Sequence, residues 1–499
     1  MNDQDIEPPG AEPAVEIRDI AGGPPFAQRR WWTLLVVSAA QLLVVLDGTI
    51  VNIALPSAQS ELGMSDTSRQ WAVTAYALAF GGLLLIGGRI SSALGHRRTF
   101  MIGLIGFAVS SGLGGAAVNP ELLFAARALQ GVFAAALAPA GLSMLSTTFT
   151  EPHERGRAFG VFAAVGAAGS ALGLVAGGLL TEYATWRWCL YINVPVALLA
   201  LLGTARVQPD RPIRGDGPLD VAGALLSASG FAAVVYAFNE AEPLGWDSPK
   251  VLALLTGGIL LLAVFAIVEV RTPRPLLPMR VLLHHARAGA LIAITLMFVA
   301  MFGFYLFMSY YTQTVLGYSP VQAGLTLLIN ALAALFGSTL IAGKLHGRVA
   351  PAMLILPGLL AAAAGMFILT RLTPQSTDIL PQYLAPALVL TGLGLGCVMP
   401  PTASLATAKM HQHDIGAAAA AYNAAQQLGA ALGTALLNTI AASTTASYLA
   451  APHHATPTAA SVHGYTAALT VAFGILLATA CIAAPLTTTR TARESSTQQ

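Results

Sequence analysis

The most informative residue in the sequence is Asp47, a carboxylate inside an otherwise apolar stretch that reads Leu46-Asp47-Gly48-Thr49-Ile50-Val51-Asn52. Of the 23 Asp and Glu residues, nearly all fall in tails, loops or the ends of apolar runs. An ionised carboxylate in hydrocarbon costs several kcal/mol unless it is paired or hydrated. Its proton affinity is easily changed by its surroundings, which suits a group that carries protons. The alternative is a structural carboxylate that is hydrogen-bonded to a neighbouring helix.

Arg127 is the expected partner of Asp47, because the two residues lie at matched depth. Asp47 is seven residues from the outer end of its apolar run near Ala54, and Arg127 is seven residues from the start of another run near Pro120. At about 1.5 Å per helical residue, both lie roughly 10 Å below the outer surface. A guanidinium there would keep Asp47 charged until a proton or a cationic ligand replaces it. The alternative is an arginine whose long side chain reaches outward to water.

The composition predicts that these residues are positioned by membrane-spanning helices. Charged residues make up 10% and apolar residues 55% of the 499 residues, against roughly 25% charged residues in ordinary soluble domains. Apolar runs long enough to cross about 30 Å of hydrocarbon recur along most of the chain. We therefore predict an all-α polytopic membrane protein with 14 transmembrane spans, at residues 31–54, 71–92, 100–118, 121–147, 159–181, 188–206, 219–239, 250–270, 288–315, 321–343, 351–371, 382–408, 415–442 and 464–487.

The distribution of positive charge predicts the orientation. Most of the 25 Lys and Arg residues fall on one side if the N-terminus is cytoplasmic, as the positive-inside rule requires. An even number of spans places both termini on that side. We therefore predict a multi-pass protein of the cytoplasmic (inner) membrane with both termini in the cytoplasm.

A weak internal repeat predicts the domain organisation. The glycine-punctuated basic segment Gly88–Arg98 follows the second span, and a shorter version, Gly343–Arg348, follows the tenth. The resulting 6+2+6 plan resembles transporters built from two repeats with a site between them. It gives a cytoplasmic tail (1–30), an N-terminal six-helix repeat (31–206), two inserted helices with cytoplasmic linkers (207–287), a C-terminal six-helix repeat (288–489) and a second cytoplasmic tail (490–499).

Three further groups of residues are candidates for function. Glycines in the segment after the second span permit a turn, and its cations favour helix ends or the cytoplasmic surface. Glycines four residues apart in the fifth span clear one helix face for a close neighbour, as a static seam or a hinge. Polar residues inside spans either line a cavity or form interhelical hydrogen bonds. The groups are a gating loop (Gly88, Arg89, Gly95, Arg97, Arg98), a helix-five glycine face (Gly169, Gly173, Gly177, Gly178) and cavity candidates (Asn52, Gln130, Asn423, Gln426, Gln427).

The histidines and cysteines do not indicate a metal site. The histidines at 96, 411, 413, 453, 454 and 463 are placed in predicted loops, and the three cysteines are far apart in apolar segments. The sequence also lacks a GxxxxGK[ST] loop, so direct use of ATP is not expected. No metal and no cofactor are predicted.

Several motifs together resemble the major facilitator superfamily, in particular its fourteen-helix drug:proton antiporter branch of the EmrB/QacA type. The first-span stretch Leu46–Pro56 resembles the first-helix motif of that branch, and Arg127-Ala128-Leu129-Gln130-Gly131 resembles its fourth-helix motif. The stretches Trp186–Pro195 and Leu316–Gly324 are also similar to segments of that branch. The resemblance implies the major facilitator fold and a role for Arg127 in proton coupling.

Two positions depart from the family pattern. Ser92 stands where the segment after helix two usually has an Asp that latches the two halves, and Gly347 occupies the equivalent place in the second copy. Leu174 replaces the proline of the usual Gly-Pro pair in the fifth helix, so a kink-forming residue is absent there. These changes bear on gating and on the mode of transport rather than on the fold.

The residues and the resemblance together predict a proton-coupled antiporter that exports lipophilic small molecules, drugs or antibiotics, by alternating access. Its partners would be the substrate, protons and the lipid bilayer, with no nucleic acid, and it would function as a monomer driven by the proton gradient. The alternative is a dedicated exporter of an endogenous secondary metabolite. An uptake symporter and a non-transporting membrane sensor are less favoured. An enzyme is not expected, because no nucleophile, base and orienting group form a readable motif.

Overall fold

The computed structural model describes residues 26–64, 71–207, 220–272, 275–279, 282, 284–373, 379–408, 410–411, 414–450 and 456–487. These residues form α-helices joined by short turns, and no β-strand occurs among them. In chain order the helices are α1 (Phe26–Leu62), α2 (Trp71–Leu94), α3 (His96–Gly115), α4 (Pro120–Thr148), α5 (Pro152–Tyr183), α6 (Trp188–Tyr191), α7 (Asn193–Gly203), α8 (Val221–Leu244), α9 (Pro249–Arg271), α10 (His285–Tyr310), α11 (Pro320–Phe336), α12 (Gly343–Leu345), α13 (Ala352–Leu369), α14 (Ala385–Thr407), α15 (Ile415–Ala450) and α16 (Pro457–Thr487).

Ten helical segments among the described residues are long and apolar enough to cross a membrane. The four remaining predicted spans, at 100–118, 159–181, 219–239 and 415–442, overlap the helices α3, α5, α8 and α15. The predicted all-helical membrane architecture is confirmed, whereas the number of fourteen spans stays a prediction.

Helix boundaries differ from the predicted spans where glycine and proline were misinterpreted. The segment predicted as a loop from Gly88 to Arg98 is helical except at Gly95, whose φ of 93° allows the turn between α2 and α3. The predicted span at 188–206 is divided into α6, α7 and a 3-10 turn at Thr204–Arg206. Pro195 lies in the first turn of α7, where its missing N–H costs no helical hydrogen bond.

The helices pack as two groups. Helix α1 contacts α4, α5 and α7, while α2 and α3 both pack on α4. In the second group, α10 packs on α15 and α16, and α13 packs on α14 and α16. The groups meet along two seams, α2 with α15 and α5 with α11 and α14, and helix α8 contacts both α2 and α15. We call the face that carries Arg97, Arg155 and Arg348 the basic face.

Candidate functional site

Asp47 and Arg127 form an ion pair that is buried between α1 and α4. Arg127 Nη1 donates to Asp47 Oδ2 over 2.6 Å. The Asp47 side chain is 0% exposed and that of Arg127 is 1% exposed. The contact predicted from matched depth is therefore present, and Arg127 does not reach outward to solvent.

Two amides and one hydroxyl complete the surroundings of the carboxylate. Asp47 Oδ1 accepts hydrogen bonds from Gln130 Nε2 at 3.1 Å and from Asn193 Nδ2 at 2.7 Å. Both amides also donate to Ser111 Oγ, at 2.5 Å and 3.2 Å respectively. These residues (Asp47, Ser111, Arg127, Gln130 and Asn193) are named the Asp47 cluster, and all of them are buried.

Local structure explains how residues so distant in sequence meet. Gln130 follows Arg127 by three residues, so both side chains lie on one face of α4. Asn193 is the first residue of α7, directly after the bend that ends α6. Ser111 lies on α3, which packs against both α4 and α7. The cluster therefore joins four helices of the first group around a single carboxylate.

Arg127 has partners besides Asp47. Its Nε donates to the backbone oxygen of Ala72 at 3.0 Å, and its Nη1 also donates to Gln130 Oε1 at 2.9 Å. Its guanidinium lies over the ring of Tyr76, 4.5 Å from the centroid. The ring of Tyr76 and the carbonyl oxygen of Ala72 would still stabilise the guanidinium if the carboxylate lost its charge. Arg127 can therefore stay buried if Asp47 becomes neutral.

One hydrogen-bond acceptor beside the carboxylate is unused. A neutral Asp47 would need an acceptor for its hydroxyl. The oxygen Oδ1 of Asn193 is buried without a hydrogen-bond partner, and it belongs to the amide that already contacts the carboxylate. Rotation of that amide would let it accept from the protonated form. The cluster is thus suited to both charge states of Asp47.

The predicted glycine face of helix five is a packing seam against the helix that carries Asp47. A Cβ on Gly169 would lie 3.3 Å from Leu42, and one on Gly177 would lie 3.0 Å from Ile50. Gly173 leaves still less room, because a Cβ there would clash with the hydroxyl of Thr49. Gly178 differs from the other three and faces Val321 of α11. The seam holds α1 closely on both sides of Asp47.

The predicted cavity residues do not form one group. Gln130 belongs to the Asp47 cluster and is fully buried. Asn423 Nδ2 donates to the backbone oxygen of Ala419 in its own helix, and Gln426 and Gln427 are half-buried on the same helix. The side chain of Asn52 lies outside the described residues. Of the predicted cavity residues that the structure describes, only Gln130 contacts Asp47.

The segment predicted as a gating loop is mostly helical and forms a tight contact between helices. Gly88 on α2 packs directly against the backbone of Gly416 on α15, with Ser92 beside it. Gly95 forms the turn between α2 and α3. Arg97 Nε donates a hydrogen bond to the backbone oxygen of Thr204 at 3.1 Å. Of the other two arginines, Arg89 is half-buried and Arg98 is exposed. His96 and His463 were predicted in loops and lie instead in α3 and α16.

Arg155 forms a second contact between the two helix groups at the basic face, and sequence reasoning missed it. Its Nε donates to Ser404 Oγ at 2.9 Å, and its Nη2 donates to Thr407 Oγ1 at 2.7 Å. His346 Nε2 lies 3.2 Å from the same Ser404 hydroxyl. Burial and the nearby Arg155 charge lower the pKa of His346 to about 4, so this histidine is neutral at pH 7. In the sequence, Arg155 is one arginine shortly before the predicted fifth span, and nothing distinguished it from a surface cation.

Asn193 and Ser111 were also missed as site residues. Asn193 was noted only as part of a motif, although an Asn shortly before a proline in an apolar span is a usable signal. Ser111 offers none, because small hydroxyl residues are frequent in membrane helices and usually bond to their own backbone.

Comparison with known proteins finds relatives that are named for antibiotic resistance and export. It is 55% identical to the puromycin resistance protein pur8 of Streptomyces alboniger over 466 residues, which are 93% of this chain and 92% of the relative. It is 38% identical to the cephamycin export protein CmcT of Amycolatopsis lactamdurans, over 83% of this chain and 85% of the relative. It is 32% identical to the multidrug efflux pump LfrA of Mycolicibacterium smegmatis, over 91% of this chain and 89% of the relative.

Solved structures share the fold. The human organic anion transporter MFSD10 matches 92% of this chain and 100% of its own, with a TM-score of 0.64 at 14% identity. The proton:xylose symporter XylE matches 91% of this chain and 96% of its own, with a TM-score of 0.61 at 18% identity. The family model described as Major Facilitator Superfamily matches residues 37–434. The chain therefore belongs to the major facilitator superfamily and is a multi-pass membrane transporter, not an enzyme.

Proposed function

We propose that the protein is a proton-coupled antiporter that exports lipophilic small molecules across the cytoplasmic membrane by alternating access. The observation that supports this most is the fully buried Asp47–Arg127 ion pair. An ionisable residue inside a membrane protein is expensive and usually marks a proton or ion pathway. The pair lies in a chain whose relatives include resistance and export proteins.

The cluster suggests how a proton would drive the cycle. With Asp47 ionised, the carboxylate binds Arg127, Gln130 and Asn193 and holds α1, α4 and α7 together. Protonation from the outer side removes the charge attraction, while Arg127 keeps the ring of Tyr76 and the carbonyl of Ala72. The two charge states would then favour different arrangements of these helices, and release of the proton to the cytoplasm would complete the cycle.

The proposed frame follows the sequence prediction. The chain would cross the membrane fourteen times in a 6+2+6 arrangement, as in the EmrB/QacA branch, with the basic face and both termini in the cytoplasm. The contacts of Arg155 with Ser404 and Thr407 would then close the cytoplasmic side. In the family, an Asp at the position of Ser92 usually latches the two halves together. The contacts of Arg155 would take over that role in this chain. A single chain would suffice, because the Asp47 cluster is complete within it.

The second candidate is a dedicated exporter of one antibiotic or secondary metabolite. The relatives that favour it are named for single compounds, including puromycin, cephamycin and tetracenomycin C. The 55% identity to a puromycin resistance protein makes puromycin the first substrate to test. Both candidates require the same proton site and differ only in the range of substrates.

The test is transport by inside-out membrane vesicles from an efflux-deficient bacterium. Vesicles that contain the native protein are energised to an acidic interior, and puromycin and a panel of lipophilic dyes are added in turn. An antiporter will accumulate the substrate and release protons at the same time. Substrate uptake by radiolabel or fluorescence and the internal pH by a pH-sensitive dye are recorded together.

Asp47→Asn should abolish both signals at equal expression, since the amide cannot carry the proton. The matched control is Asp247→Asn, which makes the same change at an exposed aspartate. Coupled uptake that survives Asp47→Asn would contradict the assigned proton site. Substrate uptake without any proton release would contradict antiport, and uptake of puromycin alone would favour the dedicated exporter.

A further inference from the structure

Two carboxylates meet where α8 begins and α9 ends, at the basic face and away from the Asp47 cluster. Asp220 precedes α8, and its Oδ1 accepts a hydrogen bond from the backbone N–H of Gly223 at 2.8 Å. Glu269 lies in the last turn of α9, and its Oε2 accepts from the backbone N–H of Leu277 at 3.1 Å. Glu269 is only 2% exposed, so this acid is withdrawn from solvent.

The second oxygen of each carboxylate has no hydrogen-bond partner. Asp220 Oδ2 and Glu269 Oε1 are both buried and unpartnered. Each lies 2.6 Å from the position that a Cβ would occupy on Gly223. The two oxygens therefore converge over the same α-carbon, and only glycine leaves room for both.

Burial of Glu269 and the charge of Asp220 disfavour two ionised carboxylates at this place. Asp220 repels Glu269, whereas Arg89 of α2 attracts it. The start of α8 adds the partial positive charge of a helix N-terminus, which favours negative charge there. Among the described residues, the side chains of Leu276, Ala417 and Ala418 in the adjacent apolar cluster are uncharged. Two facing carboxylates in such surroundings are relieved when a single proton is shared between them.

We propose that Asp220 and Glu269 bind one shared proton, which makes the inserted helix pair α8–α9 a second proton-binding site. The proton is held between Asp220 Oδ2 and Glu269 Oε1, so that one carboxyl donates to the other. The oxygens Oδ1 and Oε2 keep their bonds to Gly223 and Leu277. This site does not rest on the proposed transport function, because the bound proton can be observed directly.

The position of the site gives the proton a means to act on the helices around it. Leu276 and Leu277 pack in one apolar cluster with Ala417 and Ala418 of α15 and with Leu85 of α2. Loss of the proton would leave two charges over Gly223 and strengthen the attraction of Glu269 to Arg89. A change in the charge of the Asp220–Glu269 pair would therefore act on the seam where α2 packs against α15.

The test is infrared spectroscopy of the purified full-length protein in lipid nanodiscs. A protonated carboxyl has a C=O stretching band that is separate from the bands of carboxylates and amides. The native protein should show such a band at neutral pH, and it should disappear when the pH is raised. Asp220→Asn and Glu269→Gln should each abolish it, because the new amide donates to the remaining carboxylate and keeps it ionised.

Two controls separate this result from a general disturbance. Asp47→Asn and Asp247→Asn should both retain the band, since neither residue belongs to the pair. In both test variants the side chain keeps an oxygen that can accept the hydrogen bond from the N–H of Gly223 or of Leu277. Native-like elution on gel filtration verifies that each variant folds. For a variant that does not fold, ¹³C-labelling of aspartate or glutamate carboxyls in the native chain should shift the band without any substitution. A native protein without the band at neutral pH, or a band that both variants retain, overturns the proposal.

Discussion

The two helix groups each bury a polar cluster between their helices, but only the first cluster is charged. In the first group, Asp47 and Arg127 form an ion pair at 2.6 Å. In the second, Asn330 of α11 accepts from Tyr305 of α10 at 2.8 Å and donates to Thr391 of α14 at 2.8 Å. Asn330 is 1% exposed, so burial is equally complete.

The difference shows which cluster can change state. Three neutral groups that satisfy one another keep the same hydrogen bonds at every physiological pH, and they fix the packing of α10, α11 and α14. An ion pair of the same burial loses its main attraction when the acid binds a proton. We infer that the second cluster is structural, whereas the strength of the first depends on the charge of Asp47.

The largest expected effect comes from breaking the charged cluster. Arg127→Gln leaves Asp47 buried without its cation, which should lower the free energy of unfolding by about 3–5 kcal/mol. The double variant Asp47→Asn/Arg127→Gln should recover most of that loss, because no charge remains buried. Denaturant unfolding in detergent measures both. Equal stability of the single and double variants would show that the ion pair has no such role.

The next effect concerns His346, a titratable group outside both clusters. Burial and Arg155 lower its pKa to about 4 in the folded protein, against about 6.5 in an unfolded chain. Between these pH values the unfolded chain binds more protons, so stability should fall as the pH is lowered through that window, by on the order of 3 kcal/mol. Thermal unfolding as a function of pH tests this. A His346→Gln variant should lack this part of the pH dependence, and an unchanged profile would argue against it.

Breaking the neutral cluster should cost less. Asn330→Leu removes the partner of Tyr305 and Thr391 and should lower the free energy of unfolding by about 1–3 kcal/mol. Proton-coupled uptake in vesicles should keep its pH dependence, because no titrating group is lost. A variant that folds but has lost proton release would contradict the structural role assigned to this cluster.

The smallest effect is expected for an ion pair of the same chemistry at the surface. Glu61 and Arg187 lie 2.8 Å apart, but their side chains are 50% and 25% exposed. Glu61→Gln should change the free energy of unfolding by less than about 1 kcal/mol, because water screens the attraction. Arg187 also keeps its bonds to the backbone oxygens of Gly115 and Ala117. If Glu61→Gln lowered the free energy of unfolding as much as Arg127→Gln does, burial would not explain why the two ion pairs differ.

Sequence reasoning singled out Asp47, Arg127 and Gln130 of the Asp47 cluster and missed its other two members. Asp47 and Arg127 were recognisable because charge is rare in apolar spans and their depths could be counted along each helix. Asn193 and Ser111 could not be inferred in the same way, since neutral polar residues occur in most membrane helices. The segment from Gly88 to Arg98 was misinterpreted as a loop because glycine marks both turns and close helix contacts. Its packing against Gly416 involves a helix more than 300 residues away in the chain.

The sequence alone determined the class of protein and the location of its ionisable centre. Hydrocarbon admits long apolar segments only as hydrogen-bonded helices and makes a buried carboxylate conspicuous. Tertiary structure decided which side chains surround that carboxylate, how Arg155 joins the helix groups, and that Asp220 and Glu269 face one another. These contacts depend on lateral packing between distant helices. Helical periodicity specifies depth and face, but it does not specify which helix lies next to which.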